Sequence, residues 1–343
     1  MGHISIVTQE SFKDVIKTGH VSVSAYFEGK YKMKTISDQF ADLLNVKVGD
    51  KIFFWVIADK VNKTKNLGFL GYAIATGNAI FVKSELLPYK IPVGELHLYD
   101  TPLSERQALS LNQPKKLWNL IGKKSLGRGR GLIHQTLFED EILLKLLNEN
   151  STSRKEQIFQ KKFESEFITI SLCNSQITVE EFNNKKIELV SCSMDYFPFT
   201  RENFFSYEKT LEAYIMETFR DNKYQKILQI LGLESFSVEW VGNYLAYGVL
   251  GGNIDVLVLL KKEGRYLLVV LELKNEKLNQ EKTKDVISQI DDYSIEMKET
   301  FETFVEGIGI KKVVIAPSFC EISPKTDVNF LKYSIIDNNF VIE

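Results

Sequence analysis

Over the first 150 residues, runs of aromatic and β-branched side chains broken by glycine alternate with polar stretches, a pattern that predicts short strands. Residues 51–58 (KIFFWVIA) and 67–81 (LGFLGYAIATGNAIF) read as strands of a small barrel, with the turn Val48-Gly49-Asp50 before the first. Residues 140–147 (DEILLKLL) have helical spacing and close this unit, and the polar stretch 148–157 marks a boundary. Alternating segments such as 167–172 and 187–191 suggest a connecting sheet within 151–200. Beyond Tyr207 the periodicity sharpens. Ser206 is placed to cap a helix running to about Arg220, and strands over 254–260 and 266–273 flank the turn Glu263-Gly264. A helix over 282–303 and a buried strand over 312–316, ending at Pro317, complete an α/β order for residues 201–343. The expected organisation is an α+β small barrel over 1–150, a connecting region over 151–200, and an α/β domain over 201–343.

Composition narrows the class. The chain has 343 residues, 44% hydrophobic and 26% charged, as soluble globular proteins do. No stretch approaches the roughly 20 apolar residues of a membrane helix. The polar start, with Ser5, Thr8, Gln9 and Glu10, has no signal-peptide core, so a cytoplasmic protein is expected. Cys173, Cys192 and Cys320 lie far apart without CxxC pairing or a nearby His, so neither a zinc site nor a disulfide framework is indicated, and buried thiols are the expectation. The net charge of −2 hides an asymmetry, with residues 1–200 net basic and residues 201–343 net acidic. Arg106, Lys115, Lys116, Lys123, Lys124, Arg128 and Arg130 follow one another without an intervening acid. That run suits a phosphate backbone and equally suits a solvated loop and helix face.

The candidate chemistry lies in the second half. Asp255 closes the phrase Gly251-Gly252-Asn253-Ile254-Asp255 and opens an otherwise apolar strand. In LLVVLELK, strand alternation puts Glu272 and Lys274 on one face, and a tight turn between neighbouring strands brings Asp255 beside them. Two converging carboxylates make a hard-oxygen site for Mg²⁺ or Mn²⁺, and an adjacent lysine can orient or help deprotonate an attacking water. The plainer alternative is an edge strand with solvent-facing charges and an aspartate that only makes a turn. On helices, Glu208 and Glu212 are four apart, as are Gln289 and Tyr293, so each pair shares a helix face.

The phrases GNIDVLVL and LLVVLELKNE resemble the PD-(D/E)XK nuclease superfamily over about residues 200–343, with Ile254 where the family's usual proline stands. This resemblance implies a restriction-endonuclease-like fold, a mixed central sheet flanked by helices. It also implies catalytic roles for Asp255, Glu272 and Lys274, and a divalent metal on Asp255, Glu272 and the carbonyl of Leu273. SYEKTLEAYI is similar to the start of NucS-type endonuclease domains, which selects Glu208 over Glu212 as a further metal-linked acid. ISQIDDY is similar to the Q-x-x-x-Y element of RecB-like and NucS-like nucleases and assigns Gln289 and Tyr293 to site support. KKVVIAPSF resembles the late strand of NucS-type domains.

The phrases VKVGDKIFFWVIADK, LGFLGYAIATGNAIF and PKKLWNLIGKKSLGRGRGLI resemble the PUA-like group that includes EVE and YTH domains, small barrels that often read nucleic acids or modified bases. This implies a flipped-base pocket built from Phe54, Trp55, Tyr72 and Trp118, with Lys115, Lys116, Lys123, Lys124, Arg128 and Arg130 on the phosphates. The same aromatics also suit a barrel core. The leading expectation is a Mg²⁺- or Mn²⁺-dependent DNA endonuclease of a restriction or defence system, acting as a homodimer because two strands need two sites. A NucS-like mismatch or branched-DNA repair nuclease and a non-catalytic nucleic-acid-binding protein, for DNA or RNA, are the alternatives.

Overall fold

The computed structural model describes residues 1–22, 45–58, 68–82, 89–104, 107, 132–134, 137–159, 167–169, 177–180, 190–192, 200–201, 203–205, 207–247, 252–320, 326–336 and 339–343. The chain divides into two compact units, one of Met1–Ser171 and Gln176–Cys192, the other of Leu172–Ser175 and Ser193–Glu343. Both are mixed α and β.

In the first unit, β1 (Gly2–Val7), α1 (Gln9–Thr18), β2 (His20–Ser22), β3 (Lys51–Val56), β4 (Gly68–Ala75), β5 (Ile80–Val82) and β6 (Tyr89–Leu103) precede β7 (Leu132–His134) and α2 (Leu137–Asn150). Then come β8 (Ser153–Gln157), β9 (Phe167–Thr169), β10 (Ile177–Glu180) and β11 (Val190–Cys192). They form one sheet in the order β11-β10-β9-β5-β6-β4-β3-β1-β7, with β2 and β8 also paired to the long β6. The single apolar run over 67–81 is two strands, because the chain turns between Ala75 and Ile80, where Gly77 packs against Pro92. The polar stretch after α2 contributes β8, hydrogen-bonded to β6 from Glu95↔Gln157 to Tyr99↔Ser153. Helix α1 starts at Thr8, whose side chain accepts from Ser11 N, and stops at Gly19, where φ is 67°.

In the second unit, the short pair β12 (Thr200–Arg201) and β13 (Phe204–Phe205) leads into α3 (Glu208–Arg220) and α4 (Gln225–Ile230). A six-stranded sheet follows in sequence order: β14 (Ser237–Tyr247), β15 (Gly252–Lys262), β16 (Arg265–Leu273), β17 (Gly309–Ala316), β18 (Val328–Ile336) and β19 (Asn339–Ile342). Helix α5 (Gln280–Glu302) makes the crossover between the parallel strands β16 and β17 and covers one face of the sheet, while α3 covers the other. The N-cap of α3 is Tyr207, one residue beyond Ser206, and it makes no side-chain cap bond.

The β15–β16 hairpin fixes the register of everything near its open end. Glu263 (φ 49°) and Gly264 (φ 80°) supply the two left-handed residues of a tight two-residue turn, and pairing then runs from Lys262↔Arg265 to Val256↔Leu271. One face of the sheet, with Val256, Val258, Val269, Leu271, Leu273 and Val313, packs on Leu211, Ile215, Met216 and Phe219 of α3. Alternation turns Leu257, Leu259, Leu268 and Val270 to the other face, and α5 packs on β16 and β17 through a stripe that includes Val286, Ile290, Met297 and Phe301.

On β14, a methyl placed on Gly242 falls 2.3 Å from Cη2 and Cζ2 of the buried Trp240 indole. The ring has no room to withdraw, so Gly242→Ala is expected to cost about 1–3 kcal/mol, the usual cost of overpacking. Urea unfolding of the variant checks this, and an unchanged midpoint contradicts it.

Candidate functional site

Asp255 and Glu272 each lie one residue past the last matched pair of the hairpin, Val256↔Leu271, so the two acids stand at the same end of neighbouring strands. Asp255 is 8% exposed and Glu272 is 1% exposed, so neither is the solvent-facing charge of an edge strand. Asp255 Oδ2 accepts a hydrogen bond from Leu273 N at 2.9 Å. That bond ties the aspartate to the end of β16 and leaves its second oxygen for other work. Glu272 Oε1 accepts from Lys274 Nζ at 2.6 Å, whereas Glu272 Oε2 is buried and has no hydrogen-bond partner. A buried carboxylate oxygen without a donor is costly, and it fits a site that receives a cation.

Lys274 also reaches Glu208 Oε2 at 3.4 Å, so α3 joins the cluster through Glu208, its first residue. Glu212, one turn further along, is 1% exposed; it accepts from Asn243 Nδ2 on β14 at 2.6 Å and pairs with Lys209. Sequence reading found both glutamates. It missed Lys209 and Asn243. The only signal for Lys209 was its spacing of three from Glu212 on a helix, and Asn243 sits in a segment with no motif.

Burial dominates the electrostatics. Desolvation and then the neighbouring Asp255 push the Glu272 carboxyl up to about 8, against the opposing pull of Lys274. Desolvation raises Glu212 to about 7 despite Lys209, and raises Glu208 with help from Asp255. Lys274 loses some solvation, but Glu272, Asp255 and Glu208 together hold its ammonium more firmly than usual. Among the described residues, no group of three or more His, Cys, Asp or Glu is arranged to hold a metal ion. Asp255 and Glu272 could supply two carboxylates to a cation whose shell backbone or solvent oxygen would complete, a common arrangement for Mg²⁺.

Gln289 Nε2 donates to the Tyr293 hydroxyl within α5, and Tyr293 belongs to the buried stripe of that helix. The helix packs against β16, which carries Glu272.

The sequence-predicted aromatic pocket of the first unit does not assemble as expected. Phe54 and Trp55 are adjacent on β3 and point to opposite faces. Phe54 packs edge-on against Phe12 of α1 at 5.0 Å, while Trp55 packs against Phe69 in the core under α2. Tyr72 is half-buried between Phe53 and a stacked His97 at 4.3 Å. Burial, followed by the nearby Tyr99, Glu95 and Asp140, pushes its hydroxyl up to about 12. Trp118 and the basic residues Lys115, Lys116, Lys123, Lys124, Arg128 and Arg130 lie outside the described residues. Cys320 is exposed, contrary to the expectation of buried thiols. No helix among the described residues is long and apolar enough to cross a membrane.

No family model and no curated protein matches the chain. Among solved structures, a repair endonuclease from Pyrococcus abyssi is 17% identical, covering 57% of this chain and 94% of that one, with a TM-score of 0.23. The structure of EndoMS in apo form is 13% identical, covering 49% of this chain and 73% of that one, with a TM-score of 0.19. Both likenesses are slight.

The raised Glu272 carboxyl makes stability depend on pH in a definite direction. Its folded-state value of about 8 lies above the ordinary 4.5, so the folded chain holds this proton more tightly than the unfolded chain. Stability from that proton is fully present below about pH 4.5 and is lost as pH rises through 8. In the presence of a chelator, the Tm of Glu272→Gln, which carries no charge, should therefore rise relative to wild type between pH 5 and 8. A Tm difference constant over that range contradicts the assignment.

Proposed function

We propose that residues 201–343 form a metal-dependent nuclease that hydrolyses the phosphodiester backbone of DNA. The observation that carries this reading is the buried Asp255–Glu272 pair with Lys274 on one carboxylate oxygen and no partner on the other. With every carboxyl proton displaced, Glu208, Glu212, Asp255 and Glu272 would stand against Lys209 and Lys274, two positive charges short of neutrality. One divalent cation supplies that charge. The free oxygen of Glu272, the second oxygen of Asp255 and the carbonyl of Leu273 would hold it. When bound, Mg²⁺ or Mn²⁺ neutralises charge developing on the phosphate and lowers the pKa of its water.

The protein's own groups do the rest. Leu273 N holds Asp255 in place, and Glu272 with Glu208 holds the Lys274 ammonium where it orients the attacking water and meets the developing negative charge. A structural ion pair alone is a poor explanation for this cluster. Burying like charges together is unfavourable, and apolar residues of similar volume would stabilise the fold more.

The reading extends to the whole chain as an endonuclease of a restriction or defence system. Residues 1–150 recognise a sequence or modified base, Lys115 to Arg130 lie along the phosphates, and two copies pair for double-strand cleavage.

The test is cleavage of duplex DNA, plain, methylated and mismatched, in Mg²⁺, in Mn²⁺ and with a chelator. Wild type is expected to cut only with metal. Asp255→Ala and Glu272→Ala should each lower the rate by about a thousandfold or more, and Lys274→Ala by about a hundredfold, with DNA binding retained. Cutting by Asp255→Ala at the wild-type rate contradicts the site. Replacing Lys123, Lys124, Arg128 and Arg130 by alanine should weaken binding to all duplexes and flatten its dependence on salt. Unchanged affinity and slope make that run a solvated surface.

A further inference from the structure

Lys209 lies between the two acids of α3 and is the second cation of the cluster. Its partner Glu212 is almost wholly buried, while 18% of the Lys209 side chain remains exposed. Glu212 is fixed from the other side by Asn243 Nδ2, and Asn243 is itself 1% exposed with an Oδ1 that has no hydrogen-bond partner. Asn243 pairs with Val256, the residue next to Asp255 on β15, so Glu212 and Lys209 are anchored beside the strand position adjoining the acid. Lys274 stands on the Glu272 side of the acids and Lys209 on the Glu212 side.

A buried carboxylate beside other carboxylates adds repulsion, so the Glu212–Lys209 pair stabilises the fold no better than apolar residues of similar volume would. Glu212 does hold an ammonium group in one place, at a partly exposed position next to the acids. A second fixed ammonium beside a phosphodiester site meets the backbone oxygens of a neighbouring phosphate, a compact charge well matched to that group.

We propose that Lys209 contacts a phosphate of the nucleic-acid backbone, and that Glu212 and Asn243 are positioning residues that hold its ammonium group for that contact. This rests on the nuclease reading above. Glu212 and Asn243 act through Lys209 and not on the reacting atoms. The contact distinguishes this side of the site from the Lys274 side, where the lysine serves the water.

Lys209→Ala alone leaves Glu212 a buried carboxylate without its counter-ion and invites misfolding. The informative comparison is therefore Glu212→Gln against the double variant Lys209→Ala/Glu212→Gln, with Lys209→Arg as the conservative change. Steady-state cleavage of one duplex by full-length protein is measured in Mg²⁺ across a salt series, with melting curves as the fold control. Expected are a KM about tenfold above wild type for Glu212→Gln, little further increase in the double variant, and near-wild-type KM for Lys209→Arg. The slope of log KM against log salt should fall by about one phosphate contact in the double variant. Wild-type KM and salt slope in a folded double variant overturn the proposal and leave the nuclease reading standing. A lowered Tm with unchanged KM assigns the pair a purely structural role and overturns it equally. Wild type that cuts no duplex in Mg²⁺ or Mn²⁺ overturns the parent reading, and this proposal with it.

Discussion

Two carboxylates forced side by side in a nearly water-free place are the constraint on which the second unit turns. Asp255 and Glu272 stand at the same end of neighbouring strands, each one residue past the last matched pair, and both are almost fully buried. Left alone they repel, and burial pushes a proton onto Glu272. Nearby hydrogen bonds and ion pairs each hold one of the acids. The Leu273 amide fixes Asp255, Lys274 fixes Glu272 and Glu208, and Asn243 and Lys209 fix Glu212. The remaining deficit of positive charge gives the site its affinity for a divalent cation in our account.

The fold supplies the rigidity that such an arrangement needs. A two-residue turn sets the register of β15 and β16, and a one-residue slip would send Asp255 to the opposite face from Glu272. Helix α3 lies against one face of the sheet and delivers Glu208 and Glu212 one turn apart from its start. Helix α5 packs on the same central strands and buries the middle of the sheet beneath it. The acids therefore sit on regular elements, where packing on both faces limits their movement.

The central hairpin was legible because its signals are local. Apolar runs, a Glu-Gly turn and strand alternation suffice to put Asp255, Glu272 and Lys274 together. Long-range partners leave no such trace. Asn243 meets Glu212 across 31 positions of sequence, and nothing around it differs from an ordinary strand. The aromatic residues of β3 show the opposite failure. Their type suggests a stacking pocket, yet neighbours in a strand face opposite ways, so Phe54 and Trp55 enter different parts of the interior. The helix cap expected at Ser206 illustrates how little end positions are fixed by residue type, since the N-cap of α3 is Tyr207, which makes no side-chain cap bond.

The central claim is that a divalent cation competes with protons for the Asp255–Glu272 pair. It is tested most directly by the Mn²⁺ concentration that gives half-maximal DNA cleavage by wild type at pH 6, 7 and 8. Because the Glu272 carboxyl is raised to about 8, the metal must displace a proton at low pH, so the half-saturating concentration should fall steadily as pH rises. Cleavage that persists in a chelator, or a half-saturating concentration that stays constant from pH 6 to 8, would contradict the account.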